Sequence, residues 1–420
     1  MISRRALIAE LAARRVAEWV IVERTHEHGL VDASVPLHRH EQRTRWHVTV
    51  HHDVPAGRGT ASLELAHDGN ARHAIDQAIA LASTAIGRAW RATPPAAPAR
   101  VDLVDDLLER TDLTDTAREL LASLPHPAGT HVTAAVELSR EHVSVHAHSG
   151  FRTSWLATGA RGEILVASGE RSLAITREAR RTVDLALPDA VEAAAADLAL
   201  LGAAAPPTPG ACAVILRADA LLHGGGLGVW RVFADQASAE LERRGLTRYR
   251  VGHPIAPGAS EVAEPLSIAS DGALDFGLLS APVSDDGAAI RRFAIVEGGV
   301  AVGLGLSMRE AARRGTDPNG GVRNLDVARG TWSGDLPDAR TLDVRRLGAL
   351  AIDPYTGDAS LEIALAIERK GTTERPVTGG TLRLDLVAAL ARARRSDRLL
   401  RRGAYHGPDA VLLEGAELVA

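Results

Sequence analysis

The chain has 420 residues, enough for two or three domains with cores of their own. Hydrophobic residues make up 45% and charged residues 24%, the balance of a globular protein, and a net charge of -5 argues against nucleic acid or an acidic membrane as partner. One cysteine excludes an intrachain disulfide framework and fits a reducing compartment. No apolar run approaches the roughly eighteen residues of a membrane span. The opening Met1-Ile2-Ser3-Arg4-Arg5 leads into charge-interrupted sequence rather than the apolar core of a secretory signal, so a cytoplasmic protein is expected.

In chain order, Arg4 to Trp19 carries Leu7, Ile8, Leu11, Val16 and Trp19 at helical spacing. A strand follows at Val20-Ile21-Val22. From Arg45 to His51 the residues alternate, with Trp46, Val48 and Val50 on one face and His47, Thr49 and His51 on the other. A turn over Asp53–Gly59 returns the chain as a strand, Thr60 to Leu65. Ile75, Ala78, Ile79, Ala82, Ile86 and Ala89 then form the buried stripe of a helix. Thr93-Pro94-Pro95-Ala96-Ala97-Pro98 reads as a linker.

A helical pair ending near Leu124-Pro125 comes next. Short strands are expected at Val132–Leu138 and Val143–Ala147, with turns at Gly150, Gly159, Gly162 and Gly169. Pro188 to Leu201 is an Ala-rich helix with proline at its N-terminus. A proline-rich linker, Pro206 to Gly210, delivers the apolar strand Ala211 to Leu216. Arg231–Arg244 reads as helical. Phe293–Val296, Val300–Val302 and Leu361–Ile367 read as strands of a β-rich region, and Leu386 to Arg402 as a basic helix with a solvated arginine face. The fold class is therefore α+β: N-terminal mixed α/β domains, residues 1–93 and 99–205, followed by a β-rich, barrel-like C-terminal domain, residues 206–420.

The chemistry is sparse. A helical zinc protease site needs two histidines one turn apart with a glutamate beside the first as general base. His223 is present, but Gly224 stands at the glutamate position and Gly228 at the second histidine. One imidazole holds no metal, and glycines oppose a helix there, so the segment reads as a disarmed site or an ordinary loop. The triple glycine Gly224-Gly225-Gly226 invites a phosphate loop, yet no Lys-Ser/Thr follows and the GxGxxG spacing fails.

In the N-terminal third, His26 with His28, or His38 with His40 beside Glu41, share strand faces on which a metal could pair; the ordinary alternative is a row of solvent-facing polar residues. The same two readings apply to His146 and His148. Cys212 lies in an apolar run and reads as a buried structural thiol. Asp285-Asp286 and Asp353 with Asp358 read as acidic turns, and Pro354 to Asp358 as a hairpin turn. The residues alone imply a multi-domain protein with no intact catalytic constellation.

Resemblance carries further. The strand, glycine turn and strand over Arg45–Leu65 with the helix to Trp90, the stretch Val143 to Arg152, and Gly210 to Gly228 follow an order similar to the TldD/PmbA (TldE) family. So do Pro282 to Gly287, Glu297-Gly298-Gly299-Val300, Arg323-Asn324-Leu325, Tyr355-Thr356-Gly357-Asp358 and Pro376 to Leu382. In that family the catalytic subunit holds its metal with an HExxxH helix and a later cysteine. Here His223, Gly224 and Gly228 occupy the motif positions, and Arg401 to Leu413 contains no cysteine. The resemblance therefore implies a TldE/PmbA-like subunit without catalytic or metal residues of its own. It would pair as a heterodimer with a TldD-type HExxxH partner that carries zinc, in a cytoplasmic metalloprotease complex degrading or processing unfolded peptides. The alternatives are a homodimeric peptide-binding or scaffold protein of the same fold without protease activity, and a hydrolase with its own site at the N-terminal histidines or at Cys212 with His223.

Overall fold

Long antiparallel strands build the N-terminal half. β1 (Glu18–Asp32), β2 (Leu37–Val54), β3 (Gly57–Ala66), β4 (Ile86–Gly87), β5 (His131–Ala147), β6 (Arg152–Ser168) and β7 (Arg171–Ala179) form one sheet in the order β4-β3-β2-β1-β5-β6-β7. The computed structural model describes residues 2–35, 37–55, 57–88, 90–91, 97–337 and 340–419. β1 is hydrogen-bonded to β2 on one side and β5 on the other, so segments 1–93 and 99–205 contribute to the same sheet. Residues 93–96 of the expected linker, Ala89 of the expected helix and Ala56 of the expected turn lie outside the described residues.

The alternation of apolar residues decides what covers each face. Ile21, Trp46, Val48 and Val50 are buried with Leu7 and Leu11 of the helix Arg4–Ala13 and with Ile75 and Ala78 of the helix Ala71–Thr84. Further along, Val136, Leu138, Ile164 and Val166 are covered by Leu108, Leu113 and Val191 from the helices Asp106–Arg110, Leu113–Ala122 and Leu187–Leu201. Each fully buried side chain of this kind contributes about 1.5–3 kcal/mol. One residue out of phase, Val20 and Val22 point the other way and pack with Val143, Val145 and Val283, which joins the sheet to the C-terminal half.

That half is built from β8 (Gly210–Arg217), β9 (Ile268–Asp271), β10 (Phe293–Glu297), β11 (Val300–Ala301), β12 (Asn324–Val327), β13 (Thr341–Ile352), β14 (Asp358–Lys370), β15 (Thr373–Val377), β16 (Thr381–Asp385), β17 (Arg394–Arg395), β18 (Leu399–Arg402), β19 (Tyr405–Pro408) and β20 (Ala410–Val419). β13-β8-β20-β16-β14 follow one another, and β13 also pairs with β14, which closes a barrel. A second sheet runs β11-β10-β9-β12-β19-β18. β8 is apolar at consecutive positions because both its faces are buried. Cys212, Val214 and Leu216 face the main core with Trp230 and Tyr405, while Ala213 and Ile215 pack with Trp332 and Leu412. No described helix is long and apolar enough to cross a membrane.

Several expectations are corrected. The first helix stops at Ala13, with Arg15 at φ 53°, and Trp19 already belongs to β1. The second stops at Thr84, leaving Ile86 exposed in β4. The expected strands at 132–138 and 143–147 are one strand, because the polar residues between them pair with β1: Arg140 Nη2 lies 3.0 Å from Glu27, and Glu141 lies 3.2 Å from Arg24 Nη1. Gly159 and Gly162 sit inside β6 rather than at turns. The Arg231–Arg244 stretch is two short helices, Arg231–Gln236 and Ala239–Arg243.

The basic helix ends at Arg392, and the chain continues as β17 and β18. Arg395, expected on a solvated face, is 2% exposed. Its guanidinium donates to the carbonyls of Ala328 at 3.0 Å, Glu264 at 3.1 Å and Pro265 at 3.3 Å, so tertiary hydrogen bonds override the local helical pattern. Arg395→Ala is expected to cost about 3 kcal/mol in urea unfolding, from three orphaned carbonyls and a cavity. Arg398→Ala, at an exposed position three residues on, is expected to stay within about 0.5 kcal/mol.

Candidate functional site

The end of β8 sets the site. After Arg217 a single helical turn, Ala218–Leu221, carries the chain to His223, and the following glycines cannot continue it. Gly224, Gly225, Gly226 and Gly228 have φ values of 77°, 79°, 58° and 52°. An L-residue in that region costs about 1–2 kcal/mol, and a helix needs φ near about -63°. At Gly228 the exclusion is also steric: an added Cβ would lie 2.1 Å from the Leu221 carbonyl oxygen and 2.5 Å from Leu222 Cα. A Cβ at Gly224 would meet open space.

This loop forms one wall of a cavity of about 820 Å³. Leu227, Leu279, Val322, Leu350 and Ile352 give it apolar walls, and Glu178, His223, Arg231, Asp235 and Arg323 bring charge and polarity. Burial pushes the His223 imidazole below its ordinary value, so it is neutral near pH 7. Burial likewise pushes the Asp235 carboxyl up, against the pull of Arg231 at 3.4 Å. Arg323 is lowered by burial while Asp285 and Asp286 support its charge, and its Nε donates to the Gly320 carbonyl at 3.1 Å. The arrangement offers one imidazole, separate acids and separate cations around a concave, partly apolar space. Such a lining suits binding of a chain with mixed side chains.

Of this lining the sequence pointed to His223, Gly224 and Gly228. Glu178 on β7 and Asp235 on the helix Arg231–Gln236 carried no signature, because each comes from a different segment, and Arg323 before β12 was marked only within Arg323-Asn324-Leu325. The motif residues present do not fit a zinc ion: Gly224 and Gly228 provide no donor, and the backbone at Gly228 admits no side chain. Among the described residues no group of three or more His, Cys, Asp or Glu is placed to hold a metal.

The remaining candidates are scattered. His26 and His28 do share a face, with ring centroids 5.4 Å apart. His28 lies 3.6 Å from Glu41 and 3.9 Å from Glu137, whereas the exposed His40 is held by Glu27 at 2.9 Å and His38 stands exposed near the start of β2. His146 is buried against Arg4 at 3.1 Å, while His148 lies past the end of β5. Cys212 sits in the main core with its Sγ 3.9 Å from the Ala416 carbonyl, and burial raises its thiol, so it is no activated nucleophile and does not line the cavity with His223. Asp353 accepts from the amides of Tyr355 and Thr356 at 2.8 and 3.0 Å and Asp286 from the Ala288 amide at 3.3 Å, as turn-forming carboxylates, and Asp286 also accepts from the distant Met308 amide at 2.8 Å.

His51 departs from the expected solvent-facing row. It is 6% exposed, with its ring edge-on to Trp90 and Nδ1 3.1 Å from the Thr60 hydroxyl. Burial first, and then the charge of Arg58, lower it to about 4.

Residues 229–418 match the PmbA/TldA metallopeptidase C-terminal domain. The whole chain has the fold of three solved structures. A proposed modulator of DNA gyrase from Thermotoga maritima is 15% identical with a TM-score of 0.77, 99% of each chain being covered. A second proposed gyrase modulator, from Bacteroides thetaiotaomicron, is 12% identical with a TM-score of 0.76 and 100% of each chain covered. TldE from Thermococcus kodakarensis is 16% identical with a TM-score of 0.74, covering 99% of this chain and 100% of that one. No curated protein matches.

Two outcomes are expected. The double variant Gly224→Glu/Gly228→His should bind no stoichiometric zinc by metal analysis after dialysis and should unfold at lower temperature than the parent, since both positions demand positive φ. For His51 the unfolded chain binds a proton that the folded one refuses between about pH 6.5 and 4, so stability falls as pH drops through that window. The loss should approach about 3 kcal/mol, and His51→Gln should flatten the slope in urea unfolding across that range.

Proposed function

Because residues 229–418 match the PmbA/TldA C-terminal domain and the whole chain has the fold of TldE, we propose that it is a member of the TldD/PmbA family and the accessory, TldE-like subunit of a cytoplasmic heterodimeric peptidase whose partner carries the HExxxH helix. The observation that carries this reading is the backbone at the motif positions. Gly224 and Gly228 hold positive φ, and Gly228 presses on Leu221, so the loop is built for another conformation than a metal-binding helix.

Its own contribution is to bind and orient. The cavity beside the loop takes side chains of an unfolded peptide against Leu227, Leu279 and Val322, with Arg323 and Asp235 available to opposite charges. β7, an edge strand paired only with β6 in its sheet, brings Glu178 to the same cavity and gives an extended chain main-chain groups to pair with. Zinc bound to the partner would polarise the scissile carbonyl and activate water.

Metal content and cleavage of unfolded peptides, measured for the chain alone and for the chain co-expressed with an HExxxH partner, test the proposal. Activity and one metal per heterodimer only in the co-expressed sample are expected. Metal or activity in the chain alone would overturn it. Peptide binding by a homodimer, with no activity in either sample, would replace it with the scaffold reading.

A further inference from the structure

Where the N-terminal half meets the barrel, arginines outnumber carboxylates. β13 carries a register irregularity between Val344 and Leu347, and the consecutive Arg345 and Arg346 both reach one carboxylate instead of diverging to opposite faces. Arg346 Nε lies 2.8 Å from Asp197 and Arg345 Nη1 3.2 Å from it. Asp197 stands on the helix Leu187–Leu201 and is buried. Asp219, after β8, takes three guanidiniums: Arg346 at 2.8 Å, Arg177 of β7 at 2.7 Å, and Arg402 at the end of β18. Asp343 takes two, Arg217 at 2.7 Å and Arg369 at 3.1 Å.

These groups enclose a cavity of about 400 Å³, whose lining includes Arg217, Arg345, Arg346, Arg369 and Arg402 against only Asp197, Asp219 and Asp343. Arg177 adds a further cation behind Asp219, while the exposed Glu374, 2.8 Å from Arg369, and Asp409, whose charge reaches Arg217, offset part of the surplus. The surplus is partly buried, the side chains of Arg346 and Arg177 being 9% and 10% exposed. Burial, and then the like charges of Arg402 and Arg346, push Arg177 down to about 10 against the pull of Asp219. Each aspartate is already shared between guanidiniums. Arg402 spends only Nη1 on Asp219, and Arg345 only Nη1 on Asp197, so both forks keep donors for a further acceptor.

Cations that share too few carboxylates repel one another, and a compact multivalent anion relieves that repulsion through the same forks. From this we infer that the arginine-lined cavity between the helix Leu187–Leu201 and the barrel is a binding site for a phosphate-class oxyanion, either free or as the phosphate end of a larger molecule. Small walls suit it, since Ala193, Ala196 and Ala218 line the cavity without competing groups. The site is separate from the His223 cavity and needs neither a partner chain nor peptidase activity to be occupied.

The test is calorimetric titration of the full chain with pyrophosphate and, separately, with ADP, at low ionic strength, with thermal unfolding alongside. The variant Arg345→Gln/Arg402→Gln removes two cations, yet Asp197 keeps Arg346 and Asp219 keeps Arg346 and Arg177, so no carboxylate is orphaned. Saturable binding that raises the unfolding temperature, weakens with salt, and falls at least about tenfold in this variant is expected. A control variant of equal charge change on β2, Arg39→Gln/Arg43→Gln, should bind as the parent does. Equal affinity for both ligands identifies the free oxyanion as sufficient, and tighter ADP binding identifies a phosphate carried by a larger molecule. No binding of either ligand, or unchanged affinity in Arg345→Gln/Arg402→Gln, would overturn the inference.

Discussion

The C-terminal half depends on β8 being buried on both faces and hydrogen-bonded on both edges. It runs parallel to β13 through Ala213–Leu216 and antiparallel to β20 through Gly210–Arg217. Removing either neighbour would expose a row of backbone donors and acceptors as well as Val214, Ile215 and Leu216, none of which retains solvent contact. Closure therefore requires segments about 130 and 200 residues further along the chain to be in place together, a non-local pairing of high entropic cost. The reward is placement. Whatever follows Arg217 emerges at the barrel rim, where the ends of β13 and β7 also arrive.

What emerges divides by chemistry. On one side of the rim lies the glycine loop with its partly apolar cavity; on another lies the arginine cluster around Asp219. Burying apolar surface is favourable, whereas burying charge is costly unless each ion is met with good geometry. The register irregularity in β13 provides that geometry for Asp197, since two neighbouring arginines reach one carboxylate. The charges also fix register between halves: a one-residue slip of β13 would carry Arg345 and Arg346 away from Asp197 together.

Legibility in the sequence followed the distance over which each decision is made. Trp46, Val48 and Val50 announced a half-covered strand because period-two burial is local, and the unbroken apolar run Ala211 to Leu216 announced a strand, though not that both faces of Cys212–Leu216 are buried. The continuity of β5 was hidden, because Arg140 and Glu141 look like a turn until Glu27 and Arg24 are seen opposite them. Arg395 misled in the same way: its partners are carbonyls from residues 264, 265 and 328, and only the helical spacing of apolar residues before it was visible. His51 appeared to continue a polar row but is buried because Trp90, beyond a helix, covers it. At the candidate site His223 and its glycines could be read from motif spacing and Arg323 only as part of the family-like Arg323-Asn324-Leu325, whereas Glu178 and Asp235 had no spacing to betray them.

The glycine loop is specified for a non-helical path. A helix over these positions would favour alanine, which keeps a helix about 1 kcal/mol more stable per position than glycine. Four glycines in the left-handed region instead specify a different path, one that places the Gly228 backbone against Leu221 and Leu222 where no Cβ fits. A path that excludes side chains brings main chain directly to the cavity surface, beside the half-buried and neutral His223. The segment thus presents peptide groups and space at the cavity instead of donor side chains.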